Sequence, residues 1–432
     1  MVYGIEKRVS KFWGKCKNPI LIIIPVLLLV VPKALTGLEL GDGLPRVAEA
    51  VKLSQDPNFL LYPLPPLWYY MSAVVWILTQ NIRIVGLVSP AITCMLIYTT
   101  YIFMKRFMNE RIALLTYVFL LFTPELIARG MSSYLEPLAA IFILLTLDFY
   151  LREKPVKSGI MFGLAQLSKY SSLFFIPALI TQELITSRNL RKVASVILIM
   201  AVISSPLLIR NYILYNNPTE PWDINAAPGG AGEHFSFFGN PLRFLGMTYS
   251  SYYFSSTNVG EFVPDETHFA TGALLFDWGT VVTMETPGER ILRIHVFDII
   301  ASGLLFLLMI YGAFSLYRYD RKKFLIVINI IFWYALLFVP WSLRALAPAT
   351  RYVLIIFPFL ALFSAFGFHS FQNKIKNEKL RYTFYVIIFL CLIYLYILQI
   401  ERALLFLQHY NEIINHPYIV NTFGSPLYHL SY

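Results

Sequence analysis

The chain has 432 residues, of which 57% are hydrophobic, 16% aromatic and only 14% charged. A soluble domain usually carries about 25% charged residues, so this composition excludes an ordinary water-surrounded protein and predicts a membrane protein. The net charge of +10 does not indicate nucleic-acid binding. The basic residues lie in short clusters between apolar runs, which is the pattern of cytoplasmic loops. The three cysteines have neither disulfide nor zinc-ligand spacing.

The first apolar segment, residues 19–35, predicts an uncleaved transmembrane helix. Basic residues precede it and no small-residue cleavage site follows it, which places the N-terminus in the cytoplasm. Residues 36–82 are polar and rich in proline, and they predict an external loop. Within that loop the segment 67–79 is apolar but too short for a span, so it predicts an interfacial helix.

Ten further apolar segments follow, and the pattern predicts about eleven spans in total. The fifth and sixth spans form a pair that is broken at the polar sequence Ser168-Lys169-Tyr170-Ser171, which predicts irregular backbone facing protein or a water-filled cavity. The ten segments are 83–104, 111–128, 135–151, 158–168, 171–186, 193–209, 296–317, 323–340, 352–371 and 382–400.

The predicted fold class is an all-α integral membrane protein. An N-terminal transmembrane module, 1–210, is followed by a long external loop, 211–295. A C-terminal transmembrane module, 296–400, precedes an external tail, 401–432. If segment 67–79 does not cross, most lysines and arginines fall on the cytoplasmic side in short loops, and this favours the assignment.

Under this topology, ionisable residues from five parts of the chain emerge at the external ends of different spans. Charged groups at membrane depth are costly and tend to mark function. We therefore predict one external site built from two carboxylates and three cations, with two further arginines as weaker candidates. The residues are Asp42, Glu136, Lys169, Arg210 and Arg351, and the weaker candidates are Arg83 and Arg129.

Each of these residues also has an ordinary structural interpretation. Asp42, between two glycines, could cap the following helix, and Glu136 before Pro137 is a common helix start. Lys169 could extend toward the headgroups, and the arginines could anchor at the interface. The aromatic side chains of the external loop suit either sugar stacking or a headgroup-level belt. The seven histidines lack zinc-ligand spacing, so no metal site is predicted and metal dependence stays open.

Several short motifs resemble those of the GT-C glycosyltransferases that use polyprenyl-phosphate sugars, in particular protein O-mannosyltransferases and aminoarabinose transferases. The resemblance covers most of residues 20–370, and it rests on the order of the motifs. They are Gly41-Asp42, Tyr62-Pro-Leu-Pro-Pro-Leu-Trp68, Arg83, Tyr134-Leu-Glu-Pro137, Gly163-Leu-Ala-Gln-Leu-Ser-Lys169, the segment Ser205 to Pro218, and Arg351-Tyr-Val-Leu-Ile-Ile-Phe-Pro358.

The resemblance implies a plasma-membrane enzyme that moves one sugar from a polyprenyl (dolichyl)-phosphate donor to a hydroxyl acceptor on the extracytoplasmic face. Asp42 would be the base, Glu136 would orient the acceptor or a cation, and Lys169, Arg210 and Arg351 would bind the donor phosphate. The acceptor could be a protein, a lipid or a glycan, mannose is a family-level guess, and no cofactor is implied. Membrane lipids are the remaining expected partner.

The sequence also departs from these relatives. Asp42 is followed by Gly43 where many of them have a second acid, and Leu64-Pro65-Pro66 stands where aminoarabinose transferases have Glu-Lys-Pro. The oligosaccharyltransferase signature Trp-Trp-Asp-Tyr-Gly is absent, which argues against transfer of a whole glycan. Two alternatives stay open: a transporter of lipid carriers, although no inverted repeat is evident, and a catalytically inactive GT-C-like scaffold.

Overall fold

The computed structural model describes residues 19–36, 43–56, 65–123, 126–127, 130–186, 189–215, 282–286, 289–292, 296–342 and 354–408. Helix α1 covers residues 19–36 and contains a π-helical stretch, Val26–Val30. The remaining helices are α2 (Gly43–Gln55), α3 (Leu67–Thr79), α4 (Ile82–Gly86), α5 (Val88–Phe107), α6 (Glu110–Leu121), α7 (Glu136–Leu151), α8 (Pro155–Ser168), α9 (Ile176–Thr186), α10 (Leu190–Tyr215), α11 (Val296–Tyr319), α12 (Arg321–Ser342), α13 (Phe357–Lys374) and α14 (Glu378–Gln408).

Four helical stretches are long and apolar enough to cross a membrane, and they identify an integral membrane protein. Four shorter apolar helices accompany them, including Leu67–Thr79, which has the bounds predicted for the interfacial helix. Each predicted span overlaps a helix of the structure, while the number that cross a bilayer stays a prediction. The four long stretches are Ile82–Phe107, Leu190–Ile213, Leu354–Lys374 and Glu378–Ile397.

One part of the fold differs from the all-α prediction. Strands β1 (Val282–Thr286) and β2 (Glu289–Leu292) form an antiparallel hairpin in the segment 211–295, which the sequence predicts as a loop. The β-branched residues Val282, Thr283, Thr286 and Ile291 favour strand conformation in this short stretch. The helical membrane fold is confirmed, and the hairpin corrects the prediction that the chain contains only helices.

Two prolines inside α1 are compensated by tyrosines from other helices. Pro25 and Pro32 have no N–H, so the carbonyl groups of Leu21 and Leu28 lose their usual helical donors. The Tyr117 hydroxyl of α6 donates to Leu21 O at 3.1 Å, and the Tyr396 hydroxyl of α14 donates to Leu28 O at 3.0 Å. Because an unpaired carbonyl is costly in an apolar interior, these bonds fix α1 against α6 and α14.

Helix α7 lies at the centre of the N-terminal helices. Its apolar residues show no single face, and most of its side chains are buried, as expected for a helix surrounded by protein. It packs against α5 and α8, and α8 in turn packs against α10. A Cβ at Gly159 would lie 2.6 Å from Ile199 Cβ, and one at Gly163 would lie 2.5 Å from Ile203 Cβ. Only glycine therefore permits the observed approach of α8 to α10.

A second glycine contact joins two C-terminal helices. A Cβ at Gly312 of α11 would lie 1.7 Å from Phe363 O, and one at Gly367 of α13 would lie 2.0 Å from Leu308 O. Helix α13 also packs against α6, so this contact continues into the N-terminal helices.

Helix α8 ends where the sequence predicts a break. Lys169 is extended, with φ −161° and ψ 129°, and a 3₁₀ segment, Tyr170–Phe175, connects it to α9. Pro177, in the first turn of α9, cannot donate to the residue four positions earlier, so a continuous α-helix through this segment would lose a hydrogen bond. The Ser172 hydroxyl donates to Ala165 O at 3.1 Å, a carbonyl near the end of α8 that also accepts from the Lys169 N–H at 2.8 Å. The break predicted from the sequence is confirmed.

We expect Tyr117→Phe to lower the free energy of unfolding by about 1–3 kcal/mol, because the buried Leu21 carbonyl loses its donor. The effect should shrink in a Pro25→Ala background, since alanine restores the N–H that α-helical geometry directs at Leu21 O. Thermal unfolding of the four proteins of this cycle in detergent tests the account. An equal cost of Tyr117→Phe in both backgrounds would contradict it.

Gly312→Ala should destabilise the protein by about 1–3 kcal/mol or more. The new methyl group meets a backbone carbonyl that cannot move without separating α11 from α13. The control is Leu307→Ala on the exposed face of α11, where the side chain is 60% exposed. The melting temperature should fall clearly further for Gly312→Ala than for the control. Similar melting temperatures for the two variants would argue against the close contact.

Candidate functional site

A buried ion pair joins the start of α7 to the end of α8. Lys169 Nζ lies 2.9 Å from Glu136 Oε1, and the two side chains are 13% and 0% exposed. Glu136 occupies the first turn of α7, followed by Pro137, where the helix dipole favours a negative charge. The extended backbone at Lys169 releases its side chain from the α8 helix so that it reaches this carboxylate.

The parallel packing of α8 and α10 brings a second cation to the same end of the bundle. Gly159 meets Ile199 and Gly163 meets Ile203, so residues 40 positions apart are neighbours. Continued along the helices, this register pairs the residues after Ser168 with Arg210 and Asn211. The observed hydrogen bond agrees: Asn211 Nδ2 donates to the Tyr170 hydroxyl at 3.0 Å.

The Asn211 side chain also contacts the Arg210 guanidinium. Its Oδ1 accepts from Arg210 Nε at 3.2 Å and from Arg210 Nη2 at 2.9 Å. Asn211 is fully buried, whereas Arg210 is only partly buried. The contacts thus run from Arg210 through Asn211 to Tyr170, which directly follows Lys169 in the chain.

Helix α2 of the first loop is attached to the same region through Arg46. This side chain is 7% exposed, and its Nη1 donates to Ser133 O at 3.2 Å. Its guanidinium also lies over the Tyr134 ring, 5.0 Å from the ring centroid, in cation–π geometry. Ser133 and Tyr134 immediately precede Glu136 in the chain, so α2, α7, α8 and α10 all meet at one end of the bundle.

This arrangement is suited to binding an anion beside a carboxylate. Lys169 and Arg210 can donate hydrogen bonds to phosphate oxygens, and the planar guanidinium can do so in a bidentate manner. An ammonium group has three N–H donors, so its pair with Glu136 does not by itself prevent a contact with phosphate. The structure therefore brings together three of the predicted residues: Glu136, Lys169 and Arg210.

The other predicted residues are placed differently. Asp42, Arg351 and Arg129 lie outside the described residues. Arg83 is exposed on α4, where its backbone N–H donates to Asn81 Oδ1 at 2.9 Å, and within the described part of the chain it enters none of the contacts above. Over the same part, no group of three or more His, Cys, Asp or Glu side chains is arranged to hold a metal ion.

Sequence reasoning missed Arg46, Tyr170 and Asn211. Arg46 sits in a predicted external loop, where an arginine is normally solvated, and only the tertiary packing buries it. Tyr170 belongs to the polar break and Asn211 to the segment Ser205–Pro218, both of which were singled out as motifs without a role for these side chains. The signal available in the sequence was that Tyr170 directly follows Lys169 and that Asn211 directly follows Arg210.

A second buried charge cluster lies at the opposite end of α7, about 24 Å away along a 16-residue helix. Glu183 Oε2 accepts a short hydrogen bond from the Tyr150 hydroxyl and lies 3.8 Å from Lys192 Nζ. Asp148 pairs with Arg106 at 2.8 Å and Arg152 at 3.2 Å. These contacts join α5, α7, α9 and α10, and they pin the bundle at that end.

Replacing one partner of the Glu136–Lys169 pair should be costly. Glu136→Ala leaves a largely buried ammonium group with its carboxylate removed, and we expect a loss of about 3–5 kcal/mol. The double variant Glu136→Met/Lys169→Met should recover much of that loss, because it removes both charges. The control is Glu378→Ala, which disrupts an exposed pair with Arg381 at 3.6 Å and should cost less than about 1 kcal/mol. A double variant that is no more stable than Glu136→Ala would contradict the buried pair.

Comparison with known proteins shows a similarity of fold. No protein-family model matches the sequence, and the search of curated proteins finds no match. The Archaeoglobus fulgidus oligosaccharyltransferase in the apo form aligns with a TM-score of 0.54 and 16% identity, over 91% of this chain and 56% of that chain. The same oligosaccharyltransferase tethered with an acceptor peptide containing the NVT sequon aligns equally well, at 15% identity.

ArnT from Cupriavidus metallidurans bound to undecaprenyl phosphate aligns with a TM-score of 0.45 and 15% identity, over 84% of this chain and 81% of that chain. The chain thus spans little more than half of the oligosaccharyltransferase and most of ArnT. Both proteins are GT-C glycosyltransferases. The resemblance inferred from the sequence motifs is confirmed as a similarity of fold, carried by the oligosaccharyltransferase.

Proposed function

We propose that this chain is a membrane glycosyltransferase that moves a single sugar from a polyprenyl-phosphate donor to a hydroxyl acceptor. The observation that carries the proposal is the buried Glu136–Lys169 pair. The residue after Lys169 contacts Asn211 beside Arg210, and residues just before Glu136 contact Arg46 of α2. The GT-C-like fold supports the same class of reaction. A buried charge pair is expensive in an apolar bundle, which favours a chemical use for it.

The proposed reaction is a displacement at the anomeric carbon with inversion. Asp42 takes the proton of the acceptor hydroxyl, whose oxygen forms the new bond to the sugar. The bond between that carbon and the phosphate oxygen breaks, and its electron pair leaves with the polyprenyl phosphate. This leaving group is a stable anion, so it needs cations and hydrogen-bond donors in place of a general acid. Lys169 and Arg210 supply them, with Arg351 as a third candidate.

The described residues support a role for Glu136 in orienting a cation. Of the two roles inferred from sequence, orienting the acceptor or orienting a cationic partner, the 2.9 Å contact with Lys169 favours the second. A carboxylate fixed at the start of α7 would hold the ammonium group at one place in the site and prevent it from reaching toward solvent.

Chain connectivity limits how far Asp42 can be from this network. Asp42 precedes Arg46 by four residues, and four residues span at most about 14 Å even when fully extended. Arg46 contacts Ser133 and Tyr134, so the described start of α2, which follows Asp42 directly in the chain, is joined to the residues that precede α7.

We further propose that the site faces the extracytoplasmic side of the plasma membrane and that the N-terminus is cytoplasmic. The distribution of basic clusters supports this orientation. A site at the headgroup level lets the polyprenyl tail stay in lipid while its phosphate reaches the cations. The acceptor can be a hydroxyl of a protein, a lipid or a glycan, and a dolichyl-phosphate mannose donor is one member of the proposed donor class.

Incubation of the purified protein with a labelled polyprenyl-phosphate sugar tests the proposal. Transfer to an added acceptor, or slow hydrolysis of the donor, is expected of the enzyme. A protein that moves the intact donor across vesicles without cleaving it would be a transporter, and one that does neither would be an inactive scaffold. Mass spectrometry of glycans in a strain lacking the protein would identify the sugar and the acceptor.

Asp42→Asn should reduce turnover by about 10²–10⁴-fold, because the amide cannot accept the acceptor's proton. The protein should still fold, since the amide has nearly the same size as the carboxyl group. Asp56→Asn is the matched control: it makes the same change just beyond the exposed far end of α2 and should leave turnover unchanged. Turnover near the wild-type level in Asp42→Asn would remove Asp42 from the mechanism.

A further inference from the structure

Two buried side chains close to Lys169 in the chain carry hydrogen-bond donors that the fold does not use. Gln166 and Ser171 are each 4% exposed. Within the described part of the chain, neither Gln166 Nε2 nor Ser171 Oγ has a hydrogen-bond partner. A buried donor without an acceptor is costly, and folded proteins retain few of them. Here two of them flank the same lysine, which indicates that they serve the site rather than the fold.

The other serines at the end of α8 are used by the backbone. The Ser168 hydroxyl donates to Leu164 O at 2.8 Å, and the Ser172 hydroxyl donates to Ala165 O at 3.1 Å. Ser171 lies between these two serines in the chain, yet its hydroxyl makes no such bond to any described residue. Support of the irregular backbone therefore accounts for two of the three hydroxyls and leaves that of Ser171 unexplained.

Gln166 lies about one turn of α8 before the two cations of the site. It is three positions after Gly163 and seven after Gly159, so it continues the face of α8 that packs against α10. The 40-residue register of that contact places Gln166 opposite Pro206, which precedes Arg210 by four residues. Along the helix axes, Gln166 is thus about 5 Å from the level of the cations.

Helix α10 does not need a donor from Gln166 at this level. Pro206 has no N–H, so the carbonyl group of Val202 loses its usual helical donor. The Ser205 hydroxyl donates to Val202 O at 2.7 Å and satisfies that carbonyl from within α10. The interruption of the hydrogen bonding at Pro206 therefore gives no structural task to the Gln166 amide.

We propose that Gln166 Nε2 and Ser171 Oγ donate hydrogen bonds to oxygens of the donor phosphate, as neutral contacts beside Lys169 and Arg210. This inference rests on the proposed function. The phosphate oxygens accept several hydrogen bonds at once, and bonds to a charged acceptor are stronger than those between neutral groups. A buried amide and a buried hydroxyl suit this purpose, because they fix the phosphate without adding charge to an apolar interior.

The proposal predicts opposite effects on stability and on binding. Gln166→Met keeps the length of the side chain and removes its polar atoms, and Ser171→Ala removes only a hydroxyl. Both replace an unpaired buried donor with apolar atoms, so neither should lower the melting temperature of the protein without donor. Each should nevertheless weaken donor binding. A side chain with a purely structural task would lower the melting temperature and leave binding unchanged.

The experiment measures the donor KM, the acceptor KM and the melting temperature in detergent for the wild type, Gln166→Met and Ser171→Ala. Calorimetry with farnesyl phosphate gives a Kd that does not depend on turnover. Each substitution should raise the donor KM and this Kd by about 10- to 100-fold, the loss expected for a hydrogen bond to a charged group. The acceptor KM should not change.

Two matched controls replace buried side chains whose polar groups are paired. Gln372→Met on α13 removes an amide that accepts from the Tyr385 hydroxyl at 2.5 Å and contacts His369 Nδ1 at 3.0 Å. Ser158→Ala, at the other end of α8, removes a hydroxyl that donates to Thr146 O at 2.9 Å. Both controls should lower the melting temperature without changing the Kd for farnesyl phosphate. A raised Kd in either control would overturn the specific role of Gln166 and Ser171.

The remaining outcomes are also decisive. A wild-type protein that neither turns over a labelled donor nor binds farnesyl phosphate would refute the proposed function itself. With an active wild type, an unchanged Kd in Gln166→Met or Ser171→Ala would remove that residue from the phosphate contacts. A melting temperature that falls as far as in the matched control, or a variant that does not fold, would show that the replaced donor has a structural task. Either result would overturn the proposal for that residue and leave the proposed function standing.

Discussion

The close parallel contact of α8 with α10 is the constraint on which the described site depends. Gly159 and Gly163 let the two backbones approach until Ile199 and Ile203 fill the space that side chains would occupy. In an apolar bundle the attraction between helices comes largely from such packing, since burying apolar surface gains little against lipid. The contact fixes the register along both helices. At their common end it determines that Tyr170 meets Asn211, so that Lys169 and Arg210 belong to one network.

The interruption of the helix after α8 lets the Lys169 side chain reach Glu136. A continuous helix through residues 168–176 would direct Lys169 along the helix surface and pair its backbone internally. Pro177 and the 3₁₀ segment interrupt this pattern, and the extended backbone at Lys169 directs its ammonium group to Glu136. Irregular backbone is tolerated inside a membrane protein only where other groups satisfy it. Here the Lys169 N–H donates to Ala165 O at 2.8 Å and the Ser172 N–H donates to Lys169 O at 3.1 Å, while the Ser168 and Ser172 hydroxyls add bonds to the carbonyls of Leu164 and Ala165.

The same rule explains how α1 and α2 are held. In α1, two tyrosine hydroxyls replace the donors that Pro25 and Pro32 lack, which ties the first helix to α6 and α14. In α2, Arg46 brings a charge into the protein, and the Ser133 carbonyl and Tyr134 ring receive it. These buried polar groups thus also connect distant parts of the chain. For the proposed enzyme, α2, which follows Asp42 in the chain, is joined to the residues that precede α7.

The sequence by itself determined the membrane class, the positions of the helices, the break at Ser168–Ser171 and the candidate residues Glu136, Lys169 and Arg210. These follow from hydropathy, proline positions and the cost of charge in lipid, all of which act locally along the chain. The fold-level resemblance also came from motifs visible in the sequence. The roles of Asp42, Arg129 and Arg351 stay predictions.

Only the tertiary structure decided which charges meet. The pairing of Glu136 with Lys169, the burial of Arg46 and the contact of Asn211 with Tyr170 depend on helix register and on distances between residues that are far apart in sequence. The hairpin β1–β2 likewise lay in a segment whose composition indicated only a loop. Hydropathy cannot report such contacts, because it records how apolar a segment is and contains nothing about the rotation or the partner of the helix that the segment forms.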